Sequence, residues 1–236
     1  NAFNDYFSGV ADQIGKCDPL RSTEDIESIC HSYREHPSIK TIQANQISPT
    51  PFGFSDTTNA SVQKILRDIN PMKSTGYDRI PPKLVKIAAK ELSYPISNLI
   101  NQSIRTSHFP DRLKFAEVSP LYKAQDSLNR SNYRPVSILS CISKVFERLY
   151  YDQMYSYFHD VFESRLSAYR PKYGCQHVLL KLVEDWKYAL DNKENVGAIL
   201  MDLSKAFDAI PHRLLISKMR APGACNLKKS YLLLRK

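Results

Sequence analysis

The chain has 236 residues, 42% of them hydrophobic, and 33 Lys and Arg against 24 Asp and Glu give it a formal charge of +9. That length and apolar content support a sizeable core, either one domain with an extension or two coupled lobes, while the lack of any run of about 18 apolar residues argues against a membrane span. The basic excess points to polyanion partners, chiefly nucleic acid, with an incidentally basic protein as the plainer alternative.

In chain order, Phe3, Phe7, Val10, Ala11 and Ile14 fall on one helical face, and Ile26, Ile29, Cys30 and Tyr33 on the face of a second helix over 23–35 that Ser22 is placed to cap. Pro37 should end that helix, and residues 37–55, with Pro37, Pro49 and Pro51 among polar neighbours, read as a linker. A third helix is expected over 60–69 and a turn over 74–78. Pro81 and Pro82 then open a helix containing Leu84, Val85, Ala88 and Leu92. A further apolar stretch runs over 96–104. Alternation over 115–122 and an extended piece over 133–139 predict two strands. A long helix follows over 143–158. The next, over 176–191, should turn Leu179, Leu182, Val183, Trp186 and Leu190 to the core, with Trp186 and Tyr188 read as packing residues rather than a base-stacking platform. The apolar run 196–201 suits a buried strand ending at Asp202, and Pro211 opens a last helix with Leu214, Leu215 and Met219.

The five cysteines (Cys17, Cys30, Cys141, Cys175 and Cys225) form no C-x-x-C pair, and the six histidines are scattered. Reduced thiols in an intracellular protein and no zinc site are expected. The first residue is Asn1 and nothing near it reads as a signal peptide, so the natural start is expected to be removed or missing.

The sharpest local feature is Met201-Asp202-Leu203-Ser204-Lys205-Ala206-Phe207-Asp208. A carboxylate at the end of an apolar strand is held rigidly at the mouth of a cleft, which suits a Mg²⁺ ligand. An Asp just before a helix is also a favoured N-cap, and spacing alone favours that reading over the metal ligand.

This octapeptide resembles the x-D-L-S-K-A-F-D motif of reverse transcriptases from LINE-type (non-LTR, jockey-like) retrotransposons. Other segments resemble the same family in the same order: Asn70 to Lys86 in the style K-x-x-G-x-D-x-I-P, Phe109-Pro110 with Lys114, Val118 to Lys123, Asn132 to Leu139, and Ser143 to Glu147. Phe3 to Phe7 resembles the start of the connector between endonuclease and polymerase. The resemblance implies that Asp202 is catalytic and binds two Mg²⁺ ions, with the Leu203 backbone carbonyl as a further ligand. It implies that Lys123 and Arg134 close over the nucleoside triphosphate, and that Phe207 packs under the incoming sugar and excludes ribonucleotides. An Arg fork and a Lys point charge are physically apt for phosphate oxygens.

The implied fold is α/β: a helical connector over 1–55, the fingers of a right-hand polymerase over 56–195, and the opening strand and helix of the palm over 196–236. The implied activity is RNA-directed DNA synthesis by two-metal nucleotidyl transfer, with RNA template, DNA primer and dNTP as partners, in the cytoplasm and nucleus. There are departures. The segment Leu166 to His177 lacks the Gln of the family's L-S-x-x-Q-x-G-F-R pattern, which weakens the expectation of template contacts there. No Asp-Asp pair occurs, and no acidic residue follows Asp208. The chain by itself is therefore expected to make no DNA. A non-catalytic basic nucleic-acid-binding remnant and an incidental structural fragment remain the alternative readings.

Overall fold

The computed structural model describes residues 2–13, 25–44, 52–159, 166–202 and 210–222. Three amino-terminal helices come first: α1 (Ala2–Gln13), α2 (Ile26–Ser32) and α3 (Pro37–Ala44). Asp25 caps α2, its carboxylate accepting the Glu27 N–H at 3.3 Å; the cap expected at Ser22 lies outside the described residues. The linker expected from Pro37 instead begins as α3. Proline cannot continue a helix but suits its first turn, where no intrahelical N–H is needed. Just before it, His36 accepts the Ser38 N–H through Nδ1 at 3.3 Å.

The main core is built from α4 (Asn59–Asp68), α5 (Pro82–Ile87), α6 (Ala89–Thr106) and α7 (Cys141–Phe158). Thr58 caps α4, accepting the Ser61 N–H at 3.2 Å, and Ser140 caps α7, accepting the Ser143 N–H at 3.1 Å. The helical periodicity of α4, α6 and α7 turns Val62 and Leu66, Ile96, Ile100 and Ile104, and Val145, Phe146 and Leu149 into one cluster with Val85 and Phe109. Phe109 meets Phe146 edge-on with ring centroids 5.4 Å apart. Burying each such side chain contributes about 1.5–3 kcal/mol, so this cluster is the rigid body from which the rest is hung.

One antiparallel hairpin rises from that body, β1 (Ala116–Tyr122) paired with β2 (Tyr133–Leu139), where the alternation predicted it. Pro120 and Pro135 face each other in its middle. The Lys123 N–H donates to the Asn132 carbonyl at 2.8 Å. Antiparallel pairs alternate between exchanging hydrogen bonds and exchanging none. Counting in from that bond, Pro120–Pro135 falls on a pair that exchanges none, so neither missing N–H breaks the ladder.

Two expectations are corrected carboxyl-terminal to this. Helix α8 (Cys175–Asp191) forms, but none of its residues is buried. Leu179, Trp186, Tyr188 and Leu190 are exposed rather than packed in a core, and Leu182 and Val183 with them. Periodicity correctly marks an apolar stripe, yet no described element covers it. The apolar run 196–201 is not a strand: the described residues form a single two-stranded sheet, β1 with β2, and Ile199, Leu200 and Met201 are about nine-tenths exposed. A strand exists only through pairing, and this run pairs with no described segment.

Helix α9 (His212–Arg220), expected to belong with the palm, packs on α2 and α3. Its Ile216 is buried against Ile26 and Ile29, and Arg220 reaches Glu27 at 3.1 Å. The Tyr157 hydroxyl donates to the Pro222 carbonyl at 3.1 Å, tying this unit to the end of α7. No described helix is long and apolar enough to cross a membrane.

The two cysteines at helix starts differ in environment. Cys141 is buried in the core and burial pushes its thiol pKa up, the Asp78 charge adding to this and Lys144 opposing it. Cys175 is exposed. The thiolate is the reactive form, so iodoacetamide at neutral pH should modify Cys175 in the native protein and spare Cys141 until denaturant is added. Mass mapping of the alkylated sites checks this, and equal native rates at both would contradict the burial of Cys141.

Candidate functional site

The hairpin is fixed to the core at its base by a turn. Gly76 lies so close to the junction of β2 and α7 that a Cβ on it would sit 2.7 Å from the Ser140 N and Cα. Next to it, the Tyr77 ring packs edge-on against Phe115 at 5.8 Å, and its hydroxyl donates to the Arg112 carbonyl. The Ser143 hydroxyl at the start of α7 donates to the Leu113 carbonyl at 2.9 Å. Thus the K-x-x-G-x-D segment, noted in the sequence only as a string, joins β1, β2 and α7 at one point.

Lys123 and Arg134 sit at the other end. Arg134 pairs across the ladder with Leu121 and so shares a face with it. Lys123, two residues on from Leu121 and still held by the ladder bond to Asn132, continues that face. The two cations are therefore diagonal neighbours on one side of one hairpin. Both are exposed, and neither forms a salt bridge with a described residue. The acid on the same face, Glu117, lies 4.0 Å from Arg79 near the base. Two unpaired cations on a braced ladder can grip neighbouring phosphate oxygens, Arg through its planar fork and Lys as a point charge.

The opposite face of the same end is aromatic. Tyr122 and Tyr133 face each other with centroids 5.5 Å apart. Their hydroxyls bend back onto the connecting loop, Tyr122 donating to the Gln125 carbonyl and Tyr133 to the Ser127 carbonyl at 2.9 Å. Asn132 Nδ2 donates to the Asp126 carbonyl at 2.8 Å. Sequence reading missed these roles; the signal was two tyrosines flanking a loop rich in Asp, Asn and Ser, residues that favour tight turns.

Asp202, the expected metal ligand, is exposed at the end of the unpaired 196–202 segment. Leu203 and Phe207 lie outside the described residues. Among the described residues no group of three or more His, Cys, Asp or Glu side chains converges where a metal ion could be held. One exposed carboxylate does not strip Mg²⁺ of its waters, so the described residues do not by themselves fit the implied ions. The structure thus brings Lys123 and Arg134 together and leaves Asp202 unpaired with their hairpin.

Comparison with known proteins gives concordant results. Residues 122–235 match the model of the family described as reverse transcriptase (RNA-dependent DNA polymerase). Over 196 residues the chain is 28% identical to a probable RNA-directed DNA polymerase from transposon X-element of Drosophila melanogaster, covering 80% of this chain and 22% of the relative. It is 26% identical over 165 residues to a probable RNA-directed DNA polymerase from transposon BS of the same species, covering 67% of this chain and 18% of the relative. It is 23% identical over 206 residues to the RNA-directed DNA polymerase from mobile element jockey of Drosophila funebris, covering 83% and 22%. The chain spans about a fifth of the length of these relatives.

Proposed function

We propose that this chain, which belongs with the reverse transcriptases of non-LTR transposons, contributes the nucleotide-gripping hairpin of an RNA-directed DNA polymerase. The observation that supports this best is the placement of Lys123 and Arg134 on one exposed face of β1 and β2. The roles expected of the two residues need a triphosphate to touch both at once, and residues on opposite faces could not do so. In the whole polymerase, Asp202 and the Leu203 carbonyl would offer oxygen ligands to a divalent metal site that needs further acidic groups to hold the ion. Phe207 would stand against the sugar. RNA template and DNA primer would lie along the basic surface that the +9 charge provides.

Binding to an RNA–DNA hybrid tests the last point. Each phosphate neutralised releases condensed counterions, so log K should fall linearly with log salt concentration. Replacing both Lys123 and Arg134 by Gln should reduce that slope by about one to two. Affinity that stays constant from low to moderate salt would remove nucleic acid from the account.

A further inference from the structure

Helix α1 reaches across the chain to the loop end of the hairpin. Phe3 meets Tyr133 edge-on with centroids 4.9 Å apart, and Phe7 stacks behind Phe3 at 5.8 Å. With the 5.5 Å pair of Tyr133 and Tyr122, these rings form one continuous row from the connector to both strands. The row lies on the face opposite Arg134, because Tyr122–Tyr133 and Leu121–Arg134 are successive ladder pairs.

We infer that α1 is a brace for the phosphate-gripping end of the hairpin, and that Phe3 and Tyr133 are positioning residues for Lys123 and Arg134. The inference rests on the nucleotide role proposed above for those two cations.

An isolated two-stranded hairpin is marginal in water. This one has little cover of its own: Val118, Leu121, Tyr122 and Val136 are all exposed. Its base is anchored by the Gly76 turn and the Tyr77–Phe115 pair. Its far end is clasped by the two tyrosine hydroxyls, and Tyr133 is the tyrosine on which Phe3 rests. Phe3 therefore restrains the strand that carries Arg134 one residue further on. It also restrains, through the Tyr133 hydroxyl and Ser127, the loop that leads from Lys123. Removing the ring leaves both cations in place but frees the end of the ladder to fray, so the geometry of the pair is lost before its charge is.

The test uses the full chain and dTTP as the probe, with hydrogen exchange of amides 123–132 as a second readout. Phe3→Ala should speed exchange in that loop and weaken dTTP binding, each by about three- to tenfold, the size set by one edge-to-face ring pair. Exchange in α4 and α6 should not change. Phe3→Tyr, which keeps the ring, should restore both, and it also answers the objection that Phe3→Ala has unfolded the chain. Arg134→Ala should weaken dTTP binding without touching loop exchange. Faster loop exchange with unchanged dTTP affinity would reduce Phe3 to a packing residue and overturn the inference. So would unchanged exchange in Phe3→Ala while Arg134→Ala weakens binding. If wild type and Arg134→Ala bind dTTP alike, the nucleotide role itself fails and the positioning claim goes with it.

Discussion

Replacing Gly76 by alanine is expected to destabilise the chain by about 2–3 kcal/mol, an overpacking cost at the upper end of the usual range. The methyl would lie 2.7 Å from the Ser140 N and Cα and 2.8 Å from the Leu139 carbonyl carbon. All three are backbone atoms, so no side-chain rotation relieves the clash. Ser140 is the cap of α7 and Leu139 the last residue of β2, so the forced shift disturbs a helix start and a strand end together. Urea unfolding followed by circular dichroism measures the effect. Gly197→Ala is the control, since a Cβ there meets nothing within 4 Å, and it should change stability by less than about 0.5 kcal/mol. Equal midpoints for the two variants would show that the turn does not press on the β2–α7 junction.

Local order in this chain was largely legible because it depends on local chemistry. The alternation over 115–122 and the Pro135 restriction located both strands, and Pro81-Pro82 marked the start of a helix. Pro37 was misread because the same residue that ends one helix can open another, and the sequence does not say which. Burial was legible where a helix finds its partner within the described chain, as Val62, Leu66, Ile100 and Phe146 do. It was not legible for α8, since periodicity reports which face is apolar and not what covers it. The same limit explains the run 196–201, whose composition suits a buried strand but which pairs with no described segment. Lys123 and Arg134 were singled out by resemblance to a family's motifs; strand alternation places them on one face, and their role remains the proposal above. The row from Phe3 to Tyr133 joins residues 130 positions apart, and no local pattern could have exposed it.

The second large effect is expected at Arg134. A charge-assisted contact to phosphate is worth about 1.5–3 kcal/mol, and less at an exposed site where water screens it. Arg134→Ala should therefore weaken triphosphate binding by about tenfold, and Lys123→Ala by somewhat less, because a point charge loses no paired geometry. Arg134→Lys should recover only part of the loss, since the ammonium cannot offer two parallel N–H donors. Arg105, which is ion-paired to Asp56 on a different part of the surface, serves as the control for general loss of charge. The decisive measurement is a dTTP titration at low salt, followed by chemical shifts of the hairpin amides, on wild type and on the Lys123→Ala, Arg134→Ala, Arg134→Lys and Arg105→Ala variants. Saturable shifts on β1 and β2 are expected, weakening in the order wild type, Arg134→Lys, Arg134→Ala, with Arg105→Ala indistinguishable from wild type. Equal weakening by Arg105→Ala, or dTTP shifts that map away from the hairpin, would contradict it.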